Sequence, residues 1–130
     1  MKILAIDYGT RTVGLAAADT AVPLPLPRRA LTVRNDRDAV EQVLQVLRGE
    51  PYGLVLVGIP AAKDPDHSWI VRKARAFADR LREASGLPVE TVDETLTSRE
   101  AAARLRPGAP EDAVDSGAAA LLLESWLARC

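Results

Sequence analysis

The sequence predicts an α/β domain built on a mixed five-stranded sheet, its first three strands antiparallel, with helices flanking the sheet. Three observations lead there: short β-compatible runs separated by turn residues near the start, a later alternation of amphipathic helix with apolar strand, and a closing segment rich in Ala and Leu. A chain of 130 residues can bury one core without disulfides or a structural metal, so a single domain over residues 1–130 is expected.

Ile3 to Ile6 is an apolar run that ends in the turn-like Asp7-Tyr8-Gly9-Thr10, and Thr12 to Ala18 resumes in β-compatible residues, which together read as a hairpin. In Val22-Pro23-Leu24-Pro25-Leu26-Pro27 the prolines cannot donate to a ladder, so this stretch is an edge or a loop, with a strand expected at Ala30 to Val33. After a cap at Asn35 or Asp36, Val40, Val43, Leu44 and Leu47 fall on one helical face, and Gly49 and Pro51 stop the helix. Gly53 to Gly58 is apolar throughout, as a strand covered on both faces would be. A polar segment from Ala61 to Ser68 leads to a helix presenting Ile70, Ala74, Phe77 and Leu81, ended at Gly86. Val89 to Val92 supplies the fifth strand. Thr97-Ser98-Arg99-Glu100 has the form of a capping box for a short helix closed by Pro107-Gly108, and a last helix runs from about Glu111 to Arg129.

A net charge of -1 removes the simple argument for a nucleic-acid partner that a strongly basic domain would make. The charge is unevenly spread: Arg28, Arg29, Arg34, Arg37 and then Arg72, Lys73, Arg75, Arg80 and Arg82 are basic, whereas the last third is acidic. This could be a phosphate-facing rim around an acidic metal site, but on charge alone ordinary solvated helix faces are the better reading. The lone Cys130 forms no internal bridge and suggests neither an oxidising compartment nor a zinc cluster. The apolar run before Asp7, Ile3 to Ile6, has only four residues, too few for a signal sequence or a membrane span, so a cytoplasmic protein without membrane association is expected.

Asp7, Glu94 and Asp115 stand out because each lies at an element boundary beside apolar sequence, where a charge needs a reason to approach the core. If the first and fifth strands run parallel and close together, the three converge at one end of the sheet. Phosphodiester hydrolysis requires an activated water and a neutralised leaving oxygen, and two divalent ions about 4 Å apart serve both needs. Carboxylate ligands favour Mg2+ or Mn2+ over zinc, with Asp7 bridging and Asp93 able to replace or assist Glu94. Each acid also has a plain structural role open to it: Asp7 as a turn cap, Glu94 as a solvated loop carboxylate, Asp115 as a partner of its helix dipole. Gly9 permits a tight turn, and the backbone N–H groups there together with Thr10 could face a phosphate. The same Asp-Tyr-Gly-Thr pattern resembles the first phosphate loop of actin-like ATPases, which makes a nucleotide-binding protein a rival reading. Against it, the chain is too short for two lobes and has no second glycine-rich loop.

Four segments, Ile6 to Ala16, Val57-Gly58-Ile59-Pro60, Val92 to Ser98 and Val114 to Ala119, together resemble the YqgF family of Holliday-junction-resolvase-like proteins, also described as pre-16S rRNA nucleases. The resemblance covers essentially the whole chain in order. It implies a ribonuclease H-like fold, a bacterial cytoplasmic setting and a metal-dependent nuclease that matures the 5′ end of 16S rRNA, with junction resolution as the alternative. It also implies structured RNA or branched DNA as substrate, ribosomal precursor particles as partners, and the family's acids at Asp7, Glu94 and Asp115. A monomer suits rRNA trimming and a homodimer suits symmetric junction cutting.

The chain departs from the family pattern in three places. Ala61-Ala62-Lys63-Asp64-Pro65 stands where Leu-Asn-Met-Asp-Gly is usual, Thr95 replaces an arginine, and Glu111 stands where a lysine often precedes the last acid. If those basic groups grip phosphate, Arg11 is the best replacement, beside Gly9 and Thr10 as substrate contacts. His67 receives no role, and Trp69 and Trp126 are expected in the core, with base stacking open to them if exposed. A non-catalytic nucleic-acid-binding or ribosome-binding module is the runner-up.

Overall fold

The computed structural model describes residues 1–60, 68–94 and 111–129, without the side chains of Glu94 and residues 111–115. The described elements are β1 (Lys2–Asp7), β2 (Thr12–Asp19), β3 (Val22–Thr32), α1 (Asp36–Gly49), β4 (Tyr52–Pro60), α2 (Ser68–Ser85), β5 (Val89–Glu94) and α3 (Glu111–Ala128). The strands form one sheet in the order β3-β2-β1-β4-β5. β1 to β3 pair antiparallel, whereas β4 and β5 run parallel to β1, giving the mixed sheet expected from the element order. The short helix expected between residues 97 and 108 lies outside the described residues.

Side-chain alternation sorts the sheet residues into two cores. Leu4, Ile6, Tyr8, Val13, Leu15, Val55, Val57 and Ile59 face Val40, Val43 and Leu47 of α1 and Ala74, Phe77 and Leu81 of α2. On the other face Ile3, Ala5, Ala16, Ala18, Leu54, Leu56 and Val92 meet Ala119, Leu122 and Leu123 of α3. The three alanines on β1 and β2 let α3 approach closely. α3 is apolar around much of its circumference, as a helix buried on more than one side must be, and Ala118 and Leu121 are also buried, away from that cluster.

Local chemistry sets the boundaries. Asn35 caps α1, its side chain accepting a hydrogen bond from the Asp38 N–H at 2.8 Å. α2 ends at Gly86, whose φ of +70° suits glycine far better than a residue with a side chain. The proline-rich stretch, expected as an edge or a loop, is an edge: β3 runs unbroken through Pro23, Pro25 and Pro27 and borders the sheet. The Ser116 hydroxyl donates to the Arg28 carbonyl on β3, which turns that carbonyl toward β2. By antiparallel alternation, Pro27 then falls where an N–H would face the free edge, and Pro23 and Pro25 lie in the irregular stretch between the Leu26–Ala17 and Val22–Asp19 pairs.

Candidate active site

Asp7 is the last residue of β1, half-buried, at the end of the sheet where the parallel strands β1, β4 and β5 all finish. Its cross-strand neighbours are Gly14 on β2 and Gly58 on β4. A carboxylate on an interior strand is thus flanked on both sides by residues without side chains, which leaves room around it on that face. Asp7 continues the alternation of Ile3 and Ala5, so it belongs to the face covered by α3.

Glu94 pairs with Pro60, two residues beyond the Gly58–Val92 pair. Position 94 therefore has the parity of Val92 and shares the α3 face with Asp7, whereas the exposed Asp93 has the opposite parity. The first and fifth strands are parallel as expected but are not adjacent, because β4 lies between them. Positions 7 and 94 are consequently two strand spacings and two residues of strand rise apart, roughly 12 Å. Asp115 belongs to α3, the helix laid over this face, and the residue after it is anchored to the sheet. Ser116, 2 % exposed, accepts a hydrogen bond from the Leu15 N–H at 3.4 Å and donates to the Arg28 carbonyl at 2.6 Å. Leu15 and Arg28 are cross-strand partners beside an irregularity in the β2–β3 register, so the hydroxyl bridges a gap in the ladder. The sequence reading missed this residue, although a serine leading into the Ala/Leu run from Gly117 to Leu123 was a signal for it.

Behind Asp7 the opposite face is tied down. Tyr8 is buried, packs against Phe77 with ring centroids 5.1 Å apart, and donates its hydroxyl to Asp36 Oδ1 at 2.6 Å. Burial foremost, and then the Asp36 carboxylate, push the Tyr8 phenol far above its usual range, so it stays a donor. Lys73 on α2 reaches Asp36 Oδ2 at 3.7 Å, which joins the β1 turn to both helices. In that turn, a Cβ on Gly9 would stand 2.3 Å from the Thr12 carbonyl oxygen, so close approach of the backbone requires glycine. Thr10 and Arg11 are exposed, and the Arg11 carbonyl accepts from the Val33 N–H at 2.8 Å.

Among the described residues no three potential metal ligands stand together, the side chains at 94 and 115 being outside that set. As a donor set, three carboxylates suit a hard cation such as Mg2+ or Mn2+. His67 lies outside the described residues. Trp126 is partly buried against the α3 core, as expected. Trp69 departs from expectation and is 46 % exposed, because it falls outside the Ala74, Phe77, Ala78 and Leu81 stripe that α2 buries.

Residues 1–129 match the family model RuvX, described as Holliday junction resolvase. The chain belongs to the RuvX family. This agrees with the family that the four motifs resemble. A relative from Oleidesulfovibrio alaskensis, named "Putative pre-16S rRNA nuclease", is 41 % identical to this RuvX-family chain over 98 % of it and 92 % of the relative. One of the same name from Maridesulfovibrio salexigens is 36 % identical over 99 % of both. Among solved structures, Thermus thermophilus RuvC in complex with a Holliday junction substrate superposes with a TM-score of 0.62 over 99 % of this chain and 95 % of RuvC. At 18 % identity that likeness speaks for the fold, which is ribonuclease H-like. No described helix of the RuvX-family chain is long and apolar enough to cross a membrane.

Proposed function

We propose that this chain is a divalent-metal-dependent nuclease that hydrolyses phosphodiester bonds and matures the 5′ end of pre-16S rRNA, acting in the cytoplasm on ribosomal precursor particles. The observation that carries the reading is the setting of Asp7: a carboxylate at the parallel end of the sheet, between Gly14 and Gly58, on the face to which position 94 and α3 also belong. Identity of 36 % and 41 % over nearly the full length to relatives named for pre-16S rRNA supports the substrate class.

Asp7, Glu94 and Asp115 would hold the metal, Mg2+ or Mn2+. When bound, such ions activate water for attack and neutralise charge on the leaving oxygen. The chain's own contribution is placement. Asp7 supplies a fixed carboxylate, since Tyr8 and the two strand neighbours leave its backbone little freedom. Glu94, in preference to Asp93, supplies the second by its parity with Val92. Ser116 holds the start of α3, and with it position 115, against β2 and β3. The turn that follows Asp7 offers the Gly9 and Thr10 backbone and the Arg11 guanidinium to a substrate phosphate.

The family's description and the RuvC fold favour a second substrate, branched DNA. Cleavage of end-labelled single-stranded RNA, single-stranded DNA and a four-way junction, in Mn2+ or Mg2+ and with excess EDTA as control, tests both. We expect metal-dependent cutting of RNA that Asp7→Asn abolishes while the fold persists. Preferential cutting of the junction would select resolution. No cutting of any substrate by folded protein that still binds would leave a nucleic-acid-binding module.

A further inference from the structure

Trp69 is the large aromatic residue that the described surface leaves open, and its position links it to the candidate site. β4 ends at Pro60, two residues beyond the Gly58 that pairs with Asp7, and α2 starts at Ser68 and runs back along the sheet. Trp69 is thus in the first turn of α2, at the end of the sheet where Asp7 lies. Arg72 and Lys73 follow it at three and four residues, the spacing that puts side chains on one helical face about one turn apart. Both are exposed, as is Arg75, and no acidic residue occurs in α2 before Asp79. The Arg72 guanidinium donates at 3.2 Å to Ser68 Oγ, on the residue that precedes the tryptophan. Lys73, through Asp36, is tied to Tyr8, the residue next to Asp7.

An exposed indole costs the fold apolar surface in water, and a cationic rim suits a polyanion with flat bases better than an apolar protein surface. We infer that Trp69, with Arg72 and Lys73, forms a stacking platform for an unpaired base of single-stranded nucleic acid, the indole taking the base and the cations the flanking phosphates. The platform rests on the nuclease reading for its substrate and extends the substrate track from the Asp7 face across the end of the sheet toward α2. Stacking is tolerant of sequence, so the platform selects unpaired over paired segments and does not read a particular base.

The chain has two tryptophans, so Trp126→Phe makes Trp69 the sole indole reporter. Its emission is followed while a single-stranded oligoribonucleotide is added in EDTA, and a labelled oligonucleotide reports binding independently by anisotropy. We expect saturable quenching that parallels the anisotropy change. In the otherwise native chain, Trp69→Ala should weaken binding roughly 5- to 100-fold and Trp69→Phe much less. Unchanged Trp69 emission at oligonucleotide concentrations that saturate the anisotropy, or equal affinities for Trp69→Ala and Trp69→Phe, would overturn the proposal. The two readings fail separately. Cutting by the wild type without quenching removes the platform and keeps the nuclease, whereas quenching without cutting keeps the platform and removes the nuclease.

Discussion

The Ser116 hydroxyl lies 2.6 Å from the Arg28 carbonyl, a hydrogen bond between residues 88 positions apart that fastens α3 to the outermost strand of the sheet. Replacing Ser116 by Ala leaves the part-buried Arg28 carbonyl and the buried Leu15 N–H without this partner. Stability should fall by about 1–3 kcal/mol in urea unfolding. If the bond also sets the position of Asp115, cleavage should fall further than the stability loss explains when both are measured well below the melting temperature. Stability within about 0.5 kcal/mol of wild type would show that the bridge contributes little.

Tyr8→Phe keeps the ring on Phe77 and removes only the hydroxyl that binds Asp36. The expected loss is about 1.5 kcal/mol, as for a hydrogen bond to a charged acceptor. A double-mutant cycle with Asp36→Ala should return a similar coupling energy. Coupling near zero would mean that the ring packing, and not the hydrogen bond, secures the turn.

Gly9→Ala places a methyl group against the Thr12 carbonyl, and only a backbone shift can relieve the contact. A destabilisation of about 1–3 kcal/mol follows from overpacking of this kind. Since the shift displaces Thr10 and Arg11, nuclease activity should drop along with it. Full activity in Gly9→Ala would exclude this turn from substrate binding.

Glu50 gathers Lys2 at 2.8 Å, the Tyr52 hydroxyl at 2.7 Å and Arg28 at 3.1 Å. Hydrogen bonding from Lys2 first, and then from Tyr52, lowers its carboxyl from the ordinary 4.5 to about 2. A carboxyl that binds its proton less readily when folded stabilises the fold fully above pH 4.5, and that stabilisation is lost as pH falls from 4.5 toward 2. The cluster is about one-third exposed, so screening limits the effect to about 1 kcal/mol or less. In Glu50→Gln, unfolding measured against pH should show a shallower loss across this acid window. Parallel curves for the two proteins would remove Glu50 as a cause of acid sensitivity.

Much of the fold was legible because burial imposes periodicity. Val40, Val43 and Leu47 repeat at helical spacing since one side of α1 is buried, and residues 54–57 are uniformly apolar since helices cover both faces of β4. The order of strands was not legible in the same way. That β4 separates β1 from β5 follows from how α1 and α2 pack, which no local pattern records. Asp7 was readable as an acid at the end of an apolar run, but the choice between Asp93 and Glu94 waits on register, because adjacent acids differ only in the face they take. Trp69 was misread because an aromatic among apolar neighbours resembles a core residue, and only the true orientation of the α2 stripe turns it outward.

The prolines of β3 bear on how this chain behaves at high concentration. Val22, Leu24 and Leu26 are exposed along that border strand, a composition that invites other chains to add on strand by strand. Wherever Pro23, Pro25 and Pro27 replace an outward N–H, an incoming strand finds no donor. The apolar ridge can therefore stay uncovered without seeding fibrils, and restoring a donor with valine at position 27 should leave the chain's fold intact while making its solutions prone to amyloid-like assembly.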